Sequence, residues 1–182
     1  MDYFDLKLCG LVRKLPLTHV GKNTRLANFS LLGDVELVAA VADELEKKLK
    51  KIKFDFLVGP EVKVVPLIAE LAQRMKQKRF VICRKSVKPY MVSPVVLKPL
   101  SYFPKHIRQL VIDGSDSELL RGKKVVIIDD VVSTGVTMRM MKELAERVGA
   151  EVVATVAVLR QGKQFDDLGE FIYLGELPVF TS

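Results

Sequence analysis

Residues 125–137 read Val-Val-Ile-Ile-Asp-Asp-Val-Val-Ser-Thr-Gly-Val-Thr, and no other stretch of the chain restricts its fold so strongly. Val125, Val126, Ile127 and Ile128 are β-branched without any polar alternation, so the strand they form is covered on both faces, as in the middle of a parallel sheet. In such sheets ligands lie beyond the carboxyl ends of the strands, which is where Asp129 and Asp130 fall. Ionised carboxylates only accept hydrogen bonds, and a pair of them suits sugar hydroxyls or a metal-bound diol. The next residues have the opposite character. Ser133, Thr134, Gly135 and Thr137 offer hydroxyls and closely spaced backbone N–H groups at the start of a helix, whose positive pole favours an anion. Gly135 lets the backbone approach that anion closely. Met138, Met141, Leu144 and Val148 then recur at helical spacing and give the helix an apolar face to set against the sheet. The stretch describes a site for a sugar that carries a phosphate.

Two further turns follow predicted strands. Residues 54–58 read as a buried strand, and Gly59-Pro60-Glu61-Val62-Lys63 after it is a tight turn with a cation. Residues 80–83 read as the next strand, followed by Arg84-Lys85-Ser86-Val87-Lys88-Pro89. Three anion-seeking elements after three strands of a parallel sheet converge on one edge. Asp34 is placed to cap an amphipathic helix carrying Val38, Val41, Ala42, Leu45 and Leu49, and residues 67–75 read as a second helix. Phe4, Leu6 and Leu8 alternate with polar positions, and Leu15 and Leu17 follow a turn, which predicts an antiparallel hairpin. Pro89, Pro94 and Pro99 make residues 85–102 an extended excursion. Leu110, Val111 and Ile112 form a short strand with Asp113-Gly114 as a turn, and residues 152–159 and 171–174 complete the strands.

With 182 residues and 49% hydrophobic content the chain is sized for one domain. No apolar run reaches the ~20 residues that span a bilayer. The opening residues lack the basic start of a secretory signal, which predicts a cytoplasmic protein without membrane partners. Cys9 and Cys83 are far apart, with neither CxxC spacing nor a His cluster, so no disulfide or zinc site is expected. The net charge of +7 comes from scattered lysines. Their densest group ends an acidic helix, and no basic stripe with interleaved aromatics speaks for nucleic acid. GxGxxG and GxxxxGK[ST] are both absent, which excludes the corresponding nucleotide folds. Paired aspartates also close a strand in receiver domains, but there the pair follows the first strand. Here about fifty residues remain, enough for one helix and two strands.

The block from Asp129 to Thr137 resembles the PRPP-binding signature of the type I phosphoribosyltransferases. Glu61, Val62 and Lys63 resemble that family's pyrophosphate loop, apart from Val64 at its usual Gly. Arg84, Lys85 and Lys88 are similar to the Arg-Lys-x-x-Lys-Leu-Pro segment of the adenine enzymes, without its Leu. The resemblance implies an α/β fold with a mostly parallel sheet flanked by helices. It also implies a small hood made of residues 1–32 and part of 86–114, and a lid within residues 86–109. The implied reaction moves ribose 5-phosphate from PRPP to a purine, adenine favoured, and releases pyrophosphate. A transferase for another nucleobase and a PRPP- or nucleotide-sensing regulator are the alternatives. Asp129, Asp130 and Lys85 would be catalytic. Asp129, Asp130, Val131, Val132, Ser133, Thr134, Gly135, Val136 and Thr137 would hold the ribose and 5-phosphate, and Glu61, Val62, Lys63, Arg84, Lys85 and Lys88 the pyrophosphate. Leu26 or Phe29 would meet the base. Mg²⁺ would be carried mainly by PRPP rather than by a dedicated protein site, and the protein would be a homodimer. Asp113 either replaces the family's hood glutamate or only makes a turn.

Overall fold

A computed structural model describes residues 2–20, 23–101, 103, 107–162 and 169–181. Met1, Gly21 and Lys22 of the expected hood, and Tyr102, Pro104, Lys105 and His106 of the expected lid, lie outside the described residues. The chain opens with β1 (Tyr3–Leu8), β2 (Leu11–His19) and β3 (Thr24–Ala27). Cys9 and Gly10 both take positive φ, 51° and 78°, which matches the right-handed twist of the hairpin they connect. Asp34 then caps α1 (Val35–Leu49), accepting the Leu37 N–H at 3.1 Å. It also accepts from Arg13 of β2 at 2.7 Å, so one carboxylate both starts the helix and anchors it to the hairpin.

β4 (Phe56–Pro60), α2 (Val65–Arg74) and β5 (Val81–Cys83) form the first parallel unit. β6 (Val95–Leu97) and β7 (Leu110–Ile112) pair antiparallel and precede α3 (Gly114–Leu120). β8 (Lys124–Val132), α4 (Val136–Arg147), β9 (Glu151–Gln161), β10 (Gly175–Leu177) and β11 (Val179–Thr181) complete the chain. The central sheet has the order β10-β9-β8-β4-β5 and is parallel throughout. A second sheet, β1-β2-β3-β11, is antiparallel and brings the last strand back to the first three. No helix among the described residues is long and apolar enough to cross a membrane.

The β-branched run of β8 divides between two cores. Val126 and Ile128 pack with α1, α2 and the hood sheet, while Val125 and Ile127 pack with α4, and all four are 0% exposed. Each such burial stabilises the fold by roughly 1.5–3 kcal/mol. At Gly59 the layers press closest, because a Cβ there would lie 2.3 Å from Ile68 Cδ1 and 2.7 Å from the Ile128 carbonyl.

The structure departs from the sequence expectations at the edges of elements. β4 begins and ends two residues later than 54–58, and β8 runs through both aspartates to Val132 rather than stopping at Ile128. Asp113-Gly114 opens a helix instead of making a hairpin turn, and the excursion contributes the strand β6. The last strand of the central sheet lies at Gly175–Leu177, and of residues 171–174 only Ile172 bridges, to Val156.

Candidate active site

The acidic pair sits where β8 outruns one neighbour. Its pairing with β4 ends at Ile127, whereas its pairing with β9 continues to Val132. Asp129 and Asp130 are therefore held by a ladder on one flank and open on the other. Alternation along a strand sends successive side chains to opposite sides, and the two carboxylates line different cavities.

Asp129 is 6% exposed and accepts the Asp130 N–H at 2.8 Å. Its cavity, about 120 Å³, is lined by Val131, Val132, Ser133, Thr134, Gly135, Val136, Thr137 and Met138, with Ile107 contributed from the end of the excursion. Gly135 is the N-cap of α4 with φ 73°, and no side chain caps the helix. The first N–H groups of α4 thus face the cavity with their positive pole and without a protein acceptor on the cap side, a setting that holds phosphate. Burial pushes the Asp129 carboxyl well above the usual carboxylate range, and the neighbouring Asp130 charge adds to the rise, against the backbone N–H of Asp130 and the Lys85 charge.

Asp130 lines the second cavity, about 340 Å³, between the hood and the sheet edge. Leu26, Phe29, Lys63, Val131, Ser133 and Gln161 are among its other walls. Leu26 is half-buried, whereas Phe29 is 3% exposed and its ring belongs mainly to the core. The Lys63 Nζ donates to the Phe29 carbonyl at 3.1 Å. This bond holds Lys63 beside the hood, where it also lines the second cavity.

The other pyrophosphate candidates do gather. The Glu61 carboxylate accepts the Lys85 N–H at 2.8 Å and the Arg84 Nε at 2.5 Å. Burial pushes the Glu61 carboxyl up, but these two bonds and the Arg84 and Lys88 charges outweigh it and hold the group below its ordinary value. Lys88 Nζ donates to Ser86 Oγ at 2.7 Å. Val62 is 57% exposed beside them, and the Glu61–Val62 peptide is cis. Lys85 lowers Asp129 electrostatically, which links this cluster to the phosphate cavity.

Asp113 is accounted for by local structure. Its Oδ1 accepts the N–H groups of Val92 and Gly114, each at 2.9 Å, and its Oδ2 accepts from Ser115 Oγ at 3.2 Å. It fastens the excursion to the start of α3. A Cβ at Gly114 would lie 2.3 Å from the Val92 carbonyl, so the same joint requires glycine. The sequence offered no motif for Ile107 or Gln161. Gln161 was open to discovery only as the last residue of a strand in the sheet whose other strand ends already carried the site.

A parallel sheet with an uncapped helix start, an acidic pair and a basic cluster at one carboxyl edge defines an α/β protein built to hold a phosphorylated sugar. Residues 32–168 match the phosphoribosyl transferase domain family, and the chain belongs to it. It is accordingly a glycosyltransferase-type enzyme of the phosphoribosyl class. The chain is 35% identical over 125 residues to an adenine phosphoribosyltransferase of Thermosipho africanus, covering 68% of this chain and 69% of the relative. It is 30% identical over 146 residues to an orotate phosphoribosyltransferase of Archaeoglobus fulgidus, covering 74% and 70%. In fold it is similar to the crystal structure of the adenine phosphoribosyltransferase from Thermoanaerobacter pseudethanolicus. That match has a TM-score of 0.71 at 22% identity and covers 90% of this chain and 94% of the other.

Proposed function

We propose that this enzyme transfers the 5-phosphoribosyl group of PRPP to a purine, adenine favoured, with release of pyrophosphate, in purine salvage. The observation that carries the reading is the division of Asp129 and Asp130 between a cavity at the start of α4 and a larger cavity under the hood. The small cavity suits the 5-phosphate, held by Ser133, Thr134, Thr137 and the backbone N–H groups from Val131 to Thr137. The two carboxylates accept from the ribose hydroxyls between the cavities, and the acceptor base occupies the space beside Leu26, Phe29 and Lys63. A base nitrogen then attacks the anomeric carbon as the bond to the pyrophosphate oxygen breaks. The bonding pair leaves with pyrophosphate, and the base gives up its N–H proton. Charge on the departing group meets Arg84, Lys85 and Lys88; Glu61 holds the Arg84 side chain and the Lys85 backbone, and Ser86 holds Lys88.

Among the described residues there is no group of three or more side chains arranged to ligate a metal. Two carboxylates near a polyphosphate fit Mg²⁺ brought in by the substrate, since that ion is commonly bound by one or two carboxylates and phosphate oxygens. Mg²⁺ would add charge neutralisation to the leaving group. Ile107 in the wall of the phosphate cavity supports a part for the described end of the excursion in excluding water. The protein would work in the cytoplasm as a homodimer, for which exposed Tyr90, Val92 and Leu100 supply apolar surface.

Pyrophosphate release from Mg-PRPP with adenine, hypoxanthine, guanine, xanthine, uracil and orotate in turn tests the reading, with Asp129→Asn/Asp130→Asn as the blank. Release with adenine that disappears in the blank is the expected result. PRPP binding without release for any base would point instead to a regulator, and release with a pyrimidine alone would refute the purine assignment.

A further inference from the structure

We propose that Asp113 is a positioning residue for the transfer: by clamping Val92 it keeps the loop of residues 84–92 closed and sets Lys85 and Lys88 where the departing pyrophosphate meets them. This role rests on the reading of Arg84, Lys85 and Lys88 as the pyrophosphate grip, on which Asp113 acts through the backbone.

Both ends of the loop are tied to the end of β7. At the near end Arg84 and Val111 exchange N–H···O bonds, each 2.8 Å. Glu61 reinforces that tie through the Arg84 Nε at 2.5 Å and the Lys85 N–H at 2.8 Å. At the far end Asp113 Oδ1 accepts the Val92 N–H at 2.9 Å, and the Val92 carbonyl accepts the Gly114 N–H at 3.0 Å. Lys88 stands midway between the two ties. Its carbonyl accepts the Met91 N–H at 3.0 Å, and its Nζ donates to Ser86 Oγ at 2.7 Å. The Lys88–Met91 turn thus ends one residue before the clamp, and releasing Val92 releases Lys88.

The corner at the clamp is built under constraint. Ser93 takes φ 48°, a left-handed conformation that a residue with a Cβ holds only where its surroundings impose it. Those surroundings are Asp113 and Gly114, where a Cβ on the glycine would lie 2.3 Å from the Val92 carbonyl and 3.0 Å from that of Ser93. Asp113 Oδ2 accepts from Ser115 Oγ at 3.2 Å, which fixes the carboxylate while Oδ1 holds the two amides. Capping α3 uses the Gly114 N–H alone. The bond to Val92 goes beyond what a cap requires, and it reaches the segment that carries the lysines. A loop held in this way meets charge developing on the leaving oxygen without first reorganising.

Amide hydrogen exchange in the wild-type enzyme gives the first test. A grip that works only with the joint closed requires Mg-pyrophosphate at about ten times its Kd to slow exchange of the Val92 and Gly114 amides about 10-fold, since the ligand binds the closed form alone. The Leu17 amide of the hood, bonded to the Asp2 carbonyl, should keep its rate. In kinetics, Asp113→Ala should raise the KM for Mg-PRPP and the pyrophosphate inhibition constant roughly 10-fold, about what ordering two lysines on binding costs. Binding of ribose 5-phosphate should be unchanged, and Asp113→Asn, which keeps the acceptor, should restore both constants. Lys88→Ala should weaken pyrophosphate binding much less in the Asp113→Ala background than in wild type, because the two residues act through one loop. A merely structural Asp113 would lower the active fraction, and so kcat, without moving either constant. Unchanged pyrophosphate affinity in Asp113→Ala, or Val92 exchange indifferent to Mg-pyrophosphate, would overturn the proposal and leave the transfer reading standing. The exchange result decides the matter if Asp113→Ala fails to fold. Wild type that binds no Mg-pyrophosphate would remove the grip and the proposal together.

Discussion

Asp129→Asn should make the free protein more stable while removing its ability to hold PRPP. The carboxyl is 6% exposed and has Asp130 beside it, so its ionised form is disfavoured by burial first and by like charge second. A carboxyl whose pKa is higher in the folded state than in the unfolded chain favours the fold when protonated. That contribution is complete below the ordinary carboxylate value and is lost as pH rises through the raised one. At neutral pH the native protein therefore carries a cost that asparagine, which cannot ionise, avoids. Asparagine keeps the acceptor that takes the Asp130 N–H at 2.8 Å. A relieved buried charge of this kind is worth about 1–2 kcal/mol, and in a domain of this size each kcal/mol moves Tm by ~2–4 °C. Calorimetric scans should show Asp129→Asn melting about 3–6 °C above wild type at pH 7, with the difference closing as pH falls to the ordinary carboxylate range. A parallel titration should show that Mg-PRPP no longer binds. A variant less stable than wild type at pH 7, or a gain that persists unchanged into acid, would refute the assignment of Asp129 as a strained buried acid.

Other consequences are open to direct measurement. Glu61→Gln weakens the bonds to Arg84 and the Lys85 N–H, and because that pair is partly solvated the loss should be near ~1 kcal/mol. Since the Glu61 carboxyl is held below its ordinary value, the deficit should be present at neutral pH and vanish as pH falls through the depressed pKa, with kcat/KM for PRPP reduced at pH 7. Asp113→Ala removes the acceptor of the Val92 and Gly114 N–H groups. It should cost about 1–2 kcal/mol and speed hydrogen exchange at those two amides relative to the β8 core. Cys83 is 0% exposed and burial pushes its thiol up to about 12, so a disulfide reagent should reach it only on unfolding; rapid labelling of Cys83 in the native protein would contradict its place in the core.

What could be read from sequence was what lies in contiguous residues. The strand, acidic pair, glycine turn and helix of 125–137 announce their chemistry because each part sets the geometry of the next. The amphipathic spacing of α1 carried its buried face, with Val38, Val41, Ala42, Leu45 and Leu49 all in the core. Interactions between distant segments were not legible. β11 joins β3 across almost the whole chain length, and nothing in Val179-Phe180-Thr181 names that partner. Asp113-Gly114 satisfies both a turn and a helix cap, and only the N–H of Val92 arriving at the same carboxylate distinguishes them. Nothing in the sequence around Lys63 announces its bond to the Phe29 carbonyl, thirty-four residues earlier. Gln161 is an unremarkable strand end in sequence, and its interest comes from the cavity it faces.

The most direct measurement follows the phosphoribosyl group itself. Mg-PRPP labelled in its 5-phosphate is mixed with adenine and the enzyme, and label in a base-bearing nucleotide is counted against pyrophosphate released. The account predicts one labelled nucleotide per pyrophosphate, with neither formed by Asp129→Asn/Asp130→Asn. Pyrophosphate released without labelled nucleotide, or PRPP bound and left intact in the presence of every purine, would contradict it.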